Sequence, residues 1–465
     1  MIQSLPTRRH SSFQGWIGTA REDITPPVGI YARNWGAALH DVALSIHRPL
    51  SLTALSIAPA ADACGLMLID ADLGWWKTPH VFEKVQARLL QELGLEAAQL
   101  IFALTHTHAG PPLMEASHDL PGGDLIAPWM DRVVEAAIAA ARRARQVSQA
   151  AVLDWHTGRC SLAAYRDLPD PASSDKQRWI CGFNPQGQPD DTLVVGRVTN
   201  QSGEILATLV NYACHPTTLA WDNTAISPDY IGAMRATMER DTGAPALFLQ
   251  GASGELSPRH QYTGDTQIAD QHGRQLGHAA LATLLDMEPP GQAFAYQTTV
   301  ESGAPLAIWS HESAESSIVQ SAKTAIVELP VKAWPTARQL ESERAACTDR
   351  AVQERLRRKR DIRTALGDGN TYELPIWAWR LGDAAVVGCC CEAYSTLQLT
   401  LRQRFPHQTI VCVNLINGSL GYLPPHSVYD QDLYQVWQTP FDRGSLEEVI
   451  EAMSGVLSGW FMADL

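Results

Sequence analysis

Short apolar runs of strand length alternate along this chain with segments carrying the apolar spacing of helices, and that alternation constrains the fold more than any other feature. "GLMLIDADL" (65–73) leads into "HVFEKVQARLLQELG" (80–94), and "AAQLIFALT" (97–105) precedes "WMDRVVEAAIAAARRARQ" (129–146). The pattern continues through "EILATLVNYAC" (204–214), "ALFLQGA" (246–252), a helical stretch over about 265–287, "GDAAVVGCCCE" (382–392) and "TIVCVNLING" (409–418). Such alternation specifies an α/β protein, here expected as mixed β-sheets flanked by helices. With 465 residues, 45% of them hydrophobic, the chain has apolar material for a large core. One catalytic unit over residues 1–465 is expected, with a candidate sub-boundary near 290–305, where "PPGQAFAYQTTVESGAP" carries prolines and glycines.

Charge and composition exclude several classes. A formal net charge of -14 argues against a general nucleic-acid binder, which needs a positive footprint. The opening "MIQSLPTRRHSSFQGW" lacks the apolar stretch of a signal peptide, and no later segment has the length of a transmembrane span, so a soluble, cytoplasmic protein is expected. Nine cysteines, an odd number, do not form a disulfide framework. Cys389, Cys390 and Cys391 alternate faces along a strand and cannot all reach one ion, so they read as buried small residues. The polar stretch from Arg338 to Arg363, with "RLRRKR" at 355–360, reads as a solvated amphipathic helix with Leu340, Ala351 and Leu356 turned inward; an anion-reading patch is the competing interpretation.

Chemistry enters at "ALTHTHAGPP" (103–112). Side chains two apart in a strand share a face, so His106 and His108 project together at the end of an apolar run. On this stretch alone, a metal site and a hydrogen-bonded pair near a turn stand level. Other strand ends add to it: "ATLVNYACHP" ends in His215, "AVVGCCCE" in Glu392, and "IVCVNLINGSLGY" reaches Tyr422. Ligand sites of open α/β sheets lie beyond the carboxyl ends of strands. Two imidazoles, a carboxylate and a phenolate suit Zn²⁺, with a coordination position left for water.

These segments resemble the catalytic domain of the neutral, non-lysosomal ceramidase family. The matching motifs are "THTHAGP" (105–111), "HPTTLAWDNTAISPDYIG" (215–232), "GELSPRH" (254–260) and "GYLPPHSVYDQDLY" (421–434), in the family's order across most of the chain. "GTAREDITPP" (18–27) and "IDADLG" (69–74) look like its first strand and acidic turn. The resemblance implies one zinc ion per chain held by His106, His215, Glu392 and Tyr422, with His108 beside it as the proton-transferring group. It also implies that Arg166 contacts substrate, that Ser257 is a nucleophile or a substrate-positioning hydroxyl, and that Tyr434 donates to the developing oxyanion. Asp229 aligns with a family aspartate and either supports a histidine ligand from behind or caps a helix.

The activity so implied is hydrolysis of an N-acyl amide bond by metal-activated water. Ceramide-cleaving members are usually longer, secreted or membrane-associated, and carry a C-terminal β-sandwich domain, which this chain is not expected to have. "SPRH" stands here for "SPN" and "PPHS" for "TTPE", so a smaller or more polar amide, or an ester, stands beside a lipid amide as substrate. A serine hydrolase using Ser257 or Ser253 is the rival enzyme, although "GASGE" (251–255) places Glu255 where a nucleophile elbow needs a small residue. A barrel-type amidohydrolase expects further His and Asp ligands late in the chain, and a non-enzymatic binding module does not account for four metal-binding side chains at strand ends. The oligomeric state is not set by these patterns.

Overall fold

The computed structural model describes residues 5–115, 117–173 and 178–462. Its main element is an eight-stranded mixed sheet made of β1 (Ser11–Asp23), β2 (Ser51–Ala58), β3 (Leu66–Ala71), β4 (Leu100–Leu104), β5 (Gln149–Arg159), β6 (Thr192–Asn200), β7 (Ile205–Tyr212) and β8 (Ala246–Gln250). The spatial order is β8-β7-β6-β5-β1-β2-β3-β4, with parallel pairs at both ends, β7 with β8 and β3 with β4. A second sheet contains β9 (Gln320–Pro330), β10 (Thr371–Leu381), β11 (Ala384–Cys389) and β12 (Thr409–Val413) in that order, with β11 parallel to β12.

Helices α1 (Pro79–Leu93), α2 (Ile126–Gln146), α3 (Tyr230–Thr242) and α4 (Thr266–Leu285) cover the outer face of the large sheet. Each buries one apolar stripe; in α1 it is Val81, Phe82, Val85, Leu89 and Leu93. Between the sheets, Phe13, Ile17, Leu55, Leu153 and Leu209 meet Trp377, Trp379, Val386 and Val411. Trp377 and Trp379 share a face of β10, and their indole N–H groups reach the carbonyls of Ala97 and Ala98 just before β4. Truncating such a buried tryptophan costs roughly 3–5 kcal/mol. Helices α7 (Thr396–Arg404) and α8 (Ser445–Phe461) close the far side of the second sheet, giving helix, sheet, sheet and helix layers.

The large sheet curls until its end strands touch. The Asp70 carboxylate at the end of β3 accepts from Phe248 N of β8 at 2.9 Å. Arg235 of α3 bridges the seam, donating to Asp70 at 2.6 Å and to Asp72 at 2.6 and 2.7 Å. The carboxyl ends of β4 and β7, distant in sheet order, are thereby brought to one place.

The stretch near 290–305, the candidate sub-boundary, contains strand Gln292–Glu301 of a hairpin with Pro305–Ser313, joined to Thr7–Arg8. The polar stretch is two helices, α5 (Ala337–Ala346) and α6 (Arg350–Leu366), inserted between β9 and β10. Only part of the expected inward face holds: Leu340 is buried, but Ala351 is exposed and Leu356 half-buried. Charged Glu354 and Arg358 instead face a cavity, which lets charges occupy the inner side of the helix. Cys389, Cys390 and Cys391 are buried and reduced. Among the described residues no helix is long and apolar enough to cross a membrane.

Candidate metal centre

Three strand ends meet beside a cavity of about 340 Å³ that His106 and Glu392 line. His106 follows β4, His215 follows β7 and Glu392 follows β11, and their ligand atoms lie within 4.8 Å of one another. Glu392 Oε2 is 2.9 Å from His215 Nε2 and 3.3 Å from His106 Nε2.

The histidine orientations are set from behind. His106 Nδ1 lies 3.2 Å from the Gly74 carbonyl, and His215 Nδ1 lies 2.7 Å from the Ser253 carbonyl. A carbonyl accepts only from N–H, so each Nδ1 is protonated and each Nε2 is the nitrogen turned to the cluster. Gly74 must be glycine for this approach, because a Cβ there would lie 2.9 Å from the Thr107 carbonyl. His106 takes a positive φ of 69°, a strained backbone for a bulky residue at a functional position.

Segment 414–417 fixes the spacing between the strands. Asn417 accepts from Phe102 N and donates to the Leu100 carbonyl, both at 2.8 Å, and so caps the free edge of β4. Leu415 N bonds the Cys391 carbonyl and Ile416 N the Cys389 carbonyl, tying the same segment to the strand end that carries Glu392.

The electrostatics suit a cation. Burial works against the Glu392 carboxylate, but His106 and His215 hold it well below the usual range. Burial, followed by Arg166, lowers His215 to about 4. An ionised carboxylate and a neutral His215 imidazole suit a metal, and two histidines with one glutamate and an open side are a catalytic zinc donor set. Tyr422 hydrogen-bonds Glu392. Burial, then the Glu392 charge, pushes its phenol well up, so that in this arrangement it is a donor.

His108 Nε2 sits 3.4 Å from His106 Nε2, and the His108 ring packs against Trp35 and Trp75. Burial, then His106 and His215, hold this imidazole well below its usual value, so it is neutral. Arg166 is buried and pairs with neither Asp167 nor Asp170; it donates to the Gly254 carbonyl at 2.5 Å and the Tyr422 oxygen at 3.2 Å. Tyr434 lines the cavity, its ring centroid 5.7 Å from that of Tyr422.

Two expected residues lie elsewhere. Ser257 is in a short strand, its hydroxyl accepts from Gln261 at 2.8 Å, and among the described residues it bonds no imidazole. Ser253 Oγ lies 3.3 Å from His215 Nδ1, on the side of the ring turned away from Glu392, and neither serine lines the cavity. No histidine base is thus placed to activate either serine toward a substrate. Asp229 caps α3, its carboxylate taken by the amides of Tyr230 and Leu219 at 2.7 and 2.9 Å. It steadies the backbone after His215 and touches no ligand imidazole.

Sequence reading missed the walls. Trp35, Trp75, Trp221 and Tyr262 line the cavity, with Trp221 and Tyr262 stacked at 5.8 Å. Charged Lys77, Glu354, Arg355, Arg358 and Asp361 line it as well, with Lys77 and Arg358 lying over the Trp75 ring. The pair "WW" at 75–76, directly after the quoted acidic turn, was the available signal for the aromatic wall.

Fold and site define an α/β chain with a buried His-His-Glu centre at converging strand ends. No family description matches the sequence, and no curated protein does. Solved structures match in fold. Neutral ceramidase from Pseudomonas aeruginosa superposes with a TM-score of 0.65 at 17% identity, over 97% of this chain and 74% of that one. A ceramidase complexed with C2 superposes with a TM-score of 0.66 at 15% identity, over 95% of this chain and 74% of that one. The fold is that of the neutral ceramidases.

Proposed function

We propose that this chain is a metal-dependent amide hydrolase of the neutral ceramidase type that cleaves an N-acyl bond. The observation carrying the proposal is the convergence of His106 Nε2 and His215 Nε2 on Glu392, in a chain with the neutral ceramidase fold. Zinc is the ion that donor set suits, with Tyr422 as the fourth group; when bound it supplies Lewis acidity and lowers a water pKa toward ~7.

The chain's own residues do the remaining work. His108, neutral and facing the cluster, is placed to take a proton and return it to the departing nitrogen. Tyr434 donates to the oxygen on which charge develops. Arg166 holds the Tyr422 oxygen in place and adds positive charge beside it. The aromatic wall receives the acyl part of the substrate and excludes water.

A lipid amide is the first reading of the substrate. A shorter or more polar amide or ester is the second, favoured by the cavity of about 340 Å³ and its charged lining. Hydrolysis rates on short-chain and long-chain N-acyl substrates, with and without a chelator, test both. Chelator-sensitive hydrolysis is expected, and the preferred chain length decides the class. A folded, metal-supplemented protein that cleaves no amide or ester would overturn the proposal.

A further inference from the structure

We propose that Arg358, on the inserted helix α6, is the positioning residue that aims the Tyr434 hydroxyl into the cavity. The proposal rests on the reading of Tyr434 as the oxyanion donor.

The guanidinium is committed to three chain segments. Nε donates to Glu354 Oε1 at 2.9 Å, Nη1 to the Tyr434 oxygen at 3.1 Å, and Nη2 to the Asn34 carbonyl at 2.6 Å. Its carbon lies 5.1 Å from the Trp75 ring centroid, and Trp75 in turn packs on His106 and His108. Each of the three guanidinium nitrogens has a protein partner, so Arg358 serves the site through those partners and not as a free anion receptor. The remaining anchor is fixed as well, since Glu354 is buried and also paired with Arg357 at 2.5 Å.

The consequence falls on the phenol. Tyr434 has a single hydroxyl proton, and its oxygen already accepts from a cation. The proton must therefore point away from Arg358, and Tyr434 lines the cavity. A positive charge on the oxygen's far side also polarises the O–H and strengthens it as a donor to a developing anion. A solvent-facing helix would not supply this contact; α6 does because its charged side faces the site.

The test compares the metal-loaded wild type with R358M, Y434F, the double variant and E354Q, on whichever amide the wild type cleaves. In parallel, 3-fluorotyrosine at position 434 is followed by fluorine NMR in the Arg358 and Met backgrounds. R358M is expected to lower kcat about tenfold to a hundredfold with KM within about threefold, as a misplaced donor does. Because both residues act through one hydroxyl, the double variant is expected to be no worse than about twofold below the weaker single variant. The fluorine resonance is expected to move in R358M. Should R358M not fold, E354Q, which removes the charge of one anchor, is expected to give a smaller kcat loss of about threefold to tenfold and a shift of the same sign. An unchanged kcat, a change in KM alone, multiplicative effects or an unmoved resonance would overturn the proposal. A wild type that cleaves nothing would instead refute the proposed activity, leaving the fluorine measurement to decide whether Arg358 holds Tyr434.

Discussion

At the scale of single residues, the division of labour between two neighbouring histidines is set by what stands behind each ring. His106 has the Gly74 carbonyl at its Nδ1 and turns Nε2 to the cluster. His108 Nδ1 has no partner among the described residues, its Nε2 faces His106, and its ring packs against Trp35 and Trp75. His108→Ala is accordingly expected to keep its metal and lose about 10²–10⁴ in kcat, the range of a general acid–base group; metal analysis and kinetics on one sample check both. Ser257→Ala is expected to retain most activity, because its hydroxyl serves Gln261 and does not reach the cavity. The site histidines and Glu392 were legible in the sequence because each ends an apolar run. Whether Ser257 and Asp229 serve the site stays open in the sequence, because spacing does not say whether a side chain at a turn points into a cleft or bonds the backbone.

Among the elements, α3 carries a buried electrostatic link across the fold. Arg235 is 4% exposed and holds Asp70 and Asp72 across the seam of the curled sheet. Arg235→Met leaves two buried carboxylates without their cation, and a loss of about 3–5 kcal/mol in unfolding free energy is expected. The pH dependence follows. Burial already raises the Asp70 carboxyl to about 6 despite Arg235, above the ~3.9 of an unfolded chain. Its contribution is therefore most favourable below pH ~4 and declines as pH rises through about 6. Without Arg235 the decline steepens, so denaturant titrations are expected to show a larger gap between variant and wild type at pH 7.5 than at pH 5. Element by element, the sequence anticipated the alternating core strands and helices closely, and misread α6. A helix whose charges face a cavity and a helix in water carry the same charge pattern, so "RLRRKR" alone cannot tell them apart.

For the whole molecule, the decisive feature is the curl that brings β4 beside β8 while the second sheet packs against the inner face. Only then do strand ends separated by most of the chain supply one donor cluster, and no local pattern encodes that closure. A site assembled from three strand ends also links metal to stability: an ion that binds only the folded chain stabilises it by roughly 4 kcal/mol at a thousandfold excess over Kd. Chelation is expected to lower the thermal midpoint and zinc to restore it, as calorimetry would show. The central claim, that His106, His215 and Glu392 form a functional metal centre, is tested most directly by elemental analysis of the purified wild type, His215→Ala and Glu392→Ala, with amide hydrolysis measured on the same samples. About one zinc per chain in the wild type, lost together with activity in both folded variants, is the expected result. A folded, active wild type that contains no stoichiometric metal would contradict it.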